Sequence, residues 1–376
     1  MKKILIPLVL ILGMALESYS QVSCTQKLSE AEDLYDAGRL YEVTKKINEG
    51  NCLSSGKDGF TKEEKIKAYR LLALVYLFMD NEPDAEDAVV NLLLVDPEHP
   101  ENDPNDPAEL KYLFAKYRSK PIFRIGTFIG GNATGIHSMK TYAVFNTSSN
   151  DFDSVGSPIS KQYSSKMGFS AGIGIEYMLV KNLEILLRAT YASNVYEVNY
   201  NLISNGSYEA TNAFEVLLTE SQQWLRTPLA LRYNIPIGTV TPYVMGGVSF
   251  DWLLSAKMTG NRGGLGTKFV TDLDLVDLKM RNRTNWSYLG GVGMKVNFKR
   301  TDSFFIEATY SVGAQNFVNS ANRYASDQLN YNMGHIDDDM AINSLAVKVG
   351  YIKSFYNPKK YSDKKLQKVN QKRAKK

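Results

Sequence analysis

The residue types in this chain that could do chemistry are three histidines and a scatter of carboxylates. Its 376 residues include only His99, His137 and His335. Asp337-Asp338-Asp339 follow His335, and Asp272, Asp274 and Asp277 lie close together upstream. Imidazole and carboxylate ligands suit a divalent cation. No metal-ligand spacing is met, however, so solvated surface acids are the plainer reading. His137-Ser138 with Asp151 or Asp153 is the nearest approach to a base, nucleophile and acid, the set needed for acyl transfer or hydrolysis. It rests on residue types alone. With no phosphate loop, dinucleotide motif or clustered metal motif in the sequence, no catalytic residue, metal or cofactor is expected.

A second set of charges is spaced for position. Arg124, Glu176, Glu184, Arg188, Arg226, Arg232, Asp251, Lys295, Glu307 and Lys348 each sit in a segment where charged or small residues alternate with apolar ones. The elements that must carry them are strands, whose side chains alternate between two faces. Lys166 to Leu179 shows the pattern best. Met167, Phe169, Ala171, Ile173, Ile175, Tyr177 and Leu179 share one face, and the other holds Gly168, Ser170, Gly172, Gly174 and Glu176. This alternation outlasts the roughly 9–11 residues with which a tilted strand crosses a bilayer. It recurs near 122–129, 183–191, 225–233, 244–254, 286–298, 304–312 and 345–355. The expectation is an all-β transmembrane barrel of about eight antiparallel strands. Long polar loops are expected near 130–165, 200–222, 256–283 and 317–341. Short turns follow the second, fourth and sixth strands, which puts both chain ends on the periplasmic side. The ten charges then point inward. Eight strands leave an interior that side chains just fill, so a packed network of ion pairs is expected, with a narrow ion path as the alternative.

The rest of the chain fits export. Lys2-Lys3, an apolar run from Ile4 to Leu16 and Ser18-Tyr19-Ser20 form a secretory signal over residues 1–20. Residues 21–118 are helical. Leu28, Ala31, Leu34 and Tyr35 keep helical spacing up to Gly38, and Thr61 to Glu64 is a capping box opening an apolar helix. The two cysteines, Cys24 and Cys52, bracket the first helical hairpin, and in an exported protein they are expected to form a disulfide. Prolines and acids between Asp96 and Pro107 form a connector. The barrel is expected over 119–356. Residues 358–376 hold nine Lys/Arg and one Asp, so the net charge of +4 is a tail of +8 on a body of −4. The tail, 357–376, reads as a solvated periplasmic extension able to contact an anionic partner such as the cell wall. Nucleic acid is not an expected partner.

Ala73, Tyr76, Ala85 and Pro97 resemble the small, large, small and terminating positions of the tetratricopeptide repeat. That resemblance implies a short periplasmic helical array suited to docking on one envelope protein, with a plug or spacer under the barrel as the alternative. Trp224 to Tyr233, Pro242-Tyr243-Val244-Met245-Gly246-Gly247 and the aromatic last strand resemble the PorT-like outer-membrane barrels of Bacteroidota. The likeness implies the same architecture in outer-membrane lipid and, through some relatives, a link to type IX secretion or gliding. The expected function is thus a non-enzymatic scaffold. The alternative is a small lipid-modifying enzyme or ligand-binding barrel with its site in the outer loops.

Overall fold

The computed structural model describes residues 23–54, 59–100, 103–104, 106–142, 161–203, 213–263, 266–298 and 302–362. The expected signal segment, Asp151, Asp153 and the tail beyond Ser362 lie outside the described residues. The chain divides into two compact units, one of residues up to Lys120 together with those from Tyr356, the other Pro121–Phe355.

The first unit is helical, with α1 (Cys24–Asp36), α2 (Leu40–Asn48), α3 (Lys62–Phe78), α4 (Glu82–Val95) and α5 (Ala108–Ala115). Local chemistry sets their ends. Ser23 caps α1, Gly38 takes the left-handed conformation (φ +74°) between α1 and α2, and Thr61 with Glu64 completes the capping box of α3. Ala31, Val43, Ile47, Ala73, Val75, Ala85, Val89 and Leu92 are fully buried in one core. Cys24 and Cys52 form a disulfide, with Cα atoms 5.5 Å apart. Closing a loop of this length stabilises the unit by about 3.5 kcal/mol on the chain-entropy account.

The first residues of the tail depart from their expected solvation. Over 356–362 they lie against this helical unit as a strap. The Arg118 amide donates to the Lys359 carbonyl (3.2 Å), and the Tyr361 amide to the Lys116 carbonyl (2.8 Å). Lys360 reaches both oxygens of Glu86 at 2.7 Å, and Tyr356 donates to Glu98 at 2.5 Å. Paired backbone and an acidic helix face offset the ordering cost that keeps a basic run solvated. The connector is ordered in part as well. His99 is buried against the Phe114 ring, and Arg70 donates to Asp106 at 2.6 Å.

The second unit is a closed antiparallel barrel. Its strands are β1 (Phe123–Lys140), β2 (Gln162–Val180), β3 (Leu183–Ile203), β4 (Ala213–Asn234), β5 (Val240–Arg262), β6 (Lys268–Asp274), β7 (Thr284–Asn297), β8 (Ser303–Gly313) and β9 (Asp339–Phe355). Eight of them form the ring, closed by β1–β9 and β4–β5 pairing, while β6 pairs outside it with the far end of β5. Phe123 pairs with Phe355, so the barrel begins and ends at the rim that carries the short turns.

Outward side chains are apolar and exposed. Met167 is 84% accessible, Ile173 59% and Val292 58%. A continuous exposed belt of this kind fits a hydrocarbon surrounding. Large inward rings fit because glycines face them. A Cβ at Gly293 would sit 2.6 Å from the Tyr243 ring, and one at Gly350 2.5 Å from Phe305.

The strands run well past their expected ends. Residues 130–140, 162–165, 200–203, 213–222 and 256–262 are strand where long loops were expected, and β6 lies inside the third of those loops. The reason is a change of solvent along the strand. Near the short turns β3 shows Leu183, Ile185 and Leu187 outward. Farther up it buries Tyr196, Val198 and Tyr200 inward and presents Glu197 and Asn199 outside. The apolar face switches sides, so an outward apolar stripe stops halfway along a strand that continues.

Candidate functional site

Two buried ionic assemblies occupy the barrel, one in the lumen and one across its far end. The lumen assembly contains all ten charges picked out by alternation. Near the short-turn rim Arg232 binds Glu176 and Glu184, with its Nε 2.9 Å from Glu184. Arg124 and Lys295 also bind Glu184, the latter at 3.0 Å, and Lys295 stands 3.7 Å from Glu176. One level higher Arg188 grips Glu307 with two bonds of 2.5 and 3.0 Å, beside Lys348 at 3.7 Å. Arg226 faces Asp251 at 3.9 Å. Alternation on the eight strands of the ring sends these side chains to one axis. There each carboxylate finds a cation, without which burying it would be prohibitive.

The far end is covered by a folded cap. Tyr196, Val216, Leu218, Leu253, Met258, Leu275, Met280, Phe317, Leu329 and Met333 form an apolar core there. At its centre Arg281 uses all its donor nitrogens. It takes Glu220 in a two-point grip at 2.8 and 2.6 Å, holds Asp337 at 2.7 and 3.1 Å, and reaches the Met280 carbonyl at 3.2 Å. Glu220 also accepts from Tyr196 and from Gln222 (2.6 Å), and the Trp224 indole donates to Gln222 (2.8 Å). His335 spans Asp337 (Nε2, 3.2 Å) and the Tyr200 hydroxyl (Nδ1, 2.9 Å). Beside it Lys161 donates to Asp338 (2.6 Å) and to the carbonyls of Ile336 (2.6 Å) and Tyr142 (2.9 Å), while Tyr163 donates to Asp338 at 2.7 Å. Arg323 binds Asp339 and stacks on Tyr142 at 3.9 Å.

Charge states follow from this crowding. Burial alone would raise the Asp337 carboxyl, but Arg281 and His335 outweigh it and hold Asp337 far below the usual carboxylate range. Burial lowers the Lys161 ammonium against the opposing pull of Asp338.

The cap corrects two sequence expectations. Asp337 and Asp338 are buried and paired, so they are not solvated surface acids. Nor do they make a cation site, since Arg281, Lys161, Arg323 and His335 already occupy the lobe of carboxylates. Asp274 is used in a turn, accepting from the Val276 and Asp277 amides at 2.9 and 3.0 Å. Among the described residues no group of three or more His, Cys, Asp or Glu converges on a metal position. The second correction concerns His137 and Ser138. They are adjacent on β1 and therefore face opposite sides, His137 exposed and outward, Ser138 inward with its hydroxyl 3.5 Å from Asp338. They do not form a base–nucleophile pair.

Sequence reasoning missed Glu220, Arg281, Lys161 and Arg323. Glu220 was within reach, since Arg226, Trp224, Gln222 and Glu220 keep one parity along β4. Arg281 and Arg323 come from connections whose course no local period announces.

Residues 119–319, more than half of the chain, match the family described as outer membrane protein beta-barrel domain. The chain belongs to that family. It is an outer-membrane β-barrel with a small N-terminal helical region, and its exposed belt is the surface that meets membrane lipid. Among the described residues no helix is long and apolar enough to cross a membrane. The outer membrane protein OprG from Pseudomonas aeruginosa is 11% identical, with 62% of this chain and 98% of that chain covered at a TM-score of 0.33. The outer membrane protease OmpT from Escherichia coli is 9% identical over 64% of this chain and 98% of its own, at 0.32. The attachment invasion locus protein Ail of Yersinia pestis, solved with the heparin analogue sucrose octasulfate, is 10% identical over 62% and 99%, at 0.27. No curated protein matches the chain.

Proposed function

We propose that this protein is a non-enzymatic outer-membrane scaffold whose barrel anchors a periplasmic helical docking module. The observation that carries this reading is the contrast between the barrel and the helices. Ion pairs cross the lumen and the cap binds its own charges, whereas the helical unit exposes Tyr41 (78%), Phe78 (65%), Leu94 (61%) and Tyr112. Exposed aromatic and aliphatic side chains on a small soluble unit suit a protein partner. The chain enters and leaves the barrel at the short-turn rim, the periplasmic side in barrels of this class. Two helical hairpins with buried Ala31, Ala73 and Ala85 support a tetratricopeptide-like module. The PorT-like sequence features give type IX secretion or gliding as the pathway in which to seek the partner, in a member of the Bacteroidota. The rival reading, a lipid-modifying site in the outer loops, draws no support from His137 and Ser138.

The test is a detergent pull-down from outer membranes of the native host. It compares the wild-type chain with one carrying Tyr41→Ser, Phe78→Ser, Leu94→Ser and Tyr112→Ser. These exposed positions leave the core intact, which circular dichroism of both proteins checks. Loss of a defined envelope partner from the variant is the expected result. An unchanged set of partners, with the variant folded, would reject the docking surface.

A further inference from the structure

The lumen charges do not balance. Arg124, Arg188, Arg226, Arg232, Lys295 and Lys348 face Glu176, Glu184, Asp251 and Glu307, six cations against four carboxylates, all largely buried. The geometry locates part of the excess. Glu307 is held by both Arg188 bonds and by the Tyr243 hydroxyl at 3.0 Å, which leaves Lys348 at 3.7 Å. Asp251 accepts from Ser249 (2.5 Å) and Ser287 (3.1 Å), which leaves Arg226 at 3.9 Å. Arg226 and Lys348 are thus the two cations served least well by protein, and both line one internal cavity of about 50 Å³.

The rest of the cavity wall offers donors. Ser170, Thr190 and Ser344 are at least 96% buried, and their hydroxyls have no hydrogen-bond partner among the described residues, nor does the Arg226 Nε. Thr309 takes the single hydrogen bond of the Lys348 ammonium, at 3.3 Å. Buried hydroxyls without partners and an uncompensated charge are each costly in a low-dielectric interior. A neutral solvent molecule answers the first need only, whereas an anion answers both. The volume exceeds the 10–15 Å³ that a single water requires by a few-fold, roughly a halide with a water beside it.

We propose that this cavity is a binding site for a small monovalent inorganic anion of halide size, held by Arg226 and Lys348 and by the hydroxyls of Ser170, Thr190 and Ser344. The anion would be enclosed as the barrel forms and would halve the excess positive charge of the lumen. The proposal is independent of the docking function.

The test folds the full chain in detergent from denaturant, in sodium bromide or in sodium gluconate at equal ionic strength. Crystals from bromide should show an anomalous peak within hydrogen-bond distance of Arg226 and Lys348. Bromide should raise the melting temperature by about 2–4 °C over gluconate. The double variant Ser170→Ala/Ser344→Ala removes two hydroxyls and keeps the charges, and should reduce the peak and the halide dependence together. Density without anomalous signal at this position, with equal melting in both salts, would overturn the proposal. It would mean that water fills the cavity.

Discussion

Along β3, β4 and β5 the two halves of the barrel wall are patterned in opposite senses. Near the short turns Leu187, Leu229 and Val248 face out while Arg188, Arg232 and Ser249 face in. Beyond the middle Tyr196, Leu218 and Met258 face in, while Glu197, Thr219 and Lys257 face out. The lower half is a polar core inside an apolar solvent, and the upper half is an apolar core inside water. The difference shows in how buried charge is managed. Below, Glu176, Glu184 and Glu307 are each shared among cations, and Glu184 has three, Arg124, Arg232 and Lys295. Above, one guanidinium, Arg281, carries both Glu220 and Asp337. The lower network has redundancy and the cap has a keystone.

The sharpest test of that contrast is Arg281→Met. It removes the guanidinium from two buried carboxylates, leaving Glu220 with neutral donors and Asp337 with His335, and breaking a buried pair in this way costs about 3–5 kcal/mol. The cap should open, read as rapid protease cleavage between 263 and 338 while the barrel stays folded in detergent. Arg232→Met should cost less, about 2 kcal/mol, because Lys295 and Arg124 remain beside Glu176 and Glu184. Equal losses of melting temperature in the two variants would refute the difference in redundancy. Acid gives a third, smaller effect. Because Asp337 is held below its unfolded value, its contribution is present above that value and is lost as pH falls from about 4 towards the depressed folded one. At pH 3 the loss from this group is about 1 kcal/mol, since each pH unit in that window counts about 1.4 kcal/mol. Protection factors of the cap amides, taken against the intrinsic exchange rate at each pH, should fall between pH 4 and 3 in the wild type, and should show a weaker pH dependence in Asp337→Asn.

The contrast also explains what the sequence allowed. An apolar stripe of period two is local, so the outward belt, the ring of eight strands and all ten lumen charges were legible from single segments. The upper strands were not. Their apolar side chains change faces between Tyr191 and Tyr196, and a search for an outward stripe ends there. The cap was least legible, because Lys161, Arg281, Arg323 and His335 meet from separate connections, a matter of tertiary closure that no spacing records. The strap was hidden for another reason. A run of nine basic residues reads as solvated, and only the acidic patch at Glu86 with the edge backbone at Lys116–Arg118 shows why its first residues settle.

That strap supplies the same Lys–Glu chemistry in a third environment, at the protein surface. Lys360 is about half exposed and pairs with Glu86, which Lys116 and Tyr117 also contact. Burial would raise Glu86, but Lys360 and Lys116 together lower it. Burial and the nearby Glu86 push the Tyr117 hydroxyl up. If environment decides what an ion pair contributes, Glu86→Gln should cost well under the loss of Arg232, about 0.5–1 kcal/mol once solvent screening is counted. The backbone bonds of Arg118 and Tyr361 do not involve this side chain, so the strap should stay docked. Exchange of the Tyr361 amide should then rise about two- to five-fold, and high salt should bring the wild type towards the variant. A variant whose strap detaches altogether would show that a half-exposed pair can act as a keystone, and the distinction drawn between the two halves of the barrel would then rest on geometry rather than on burial.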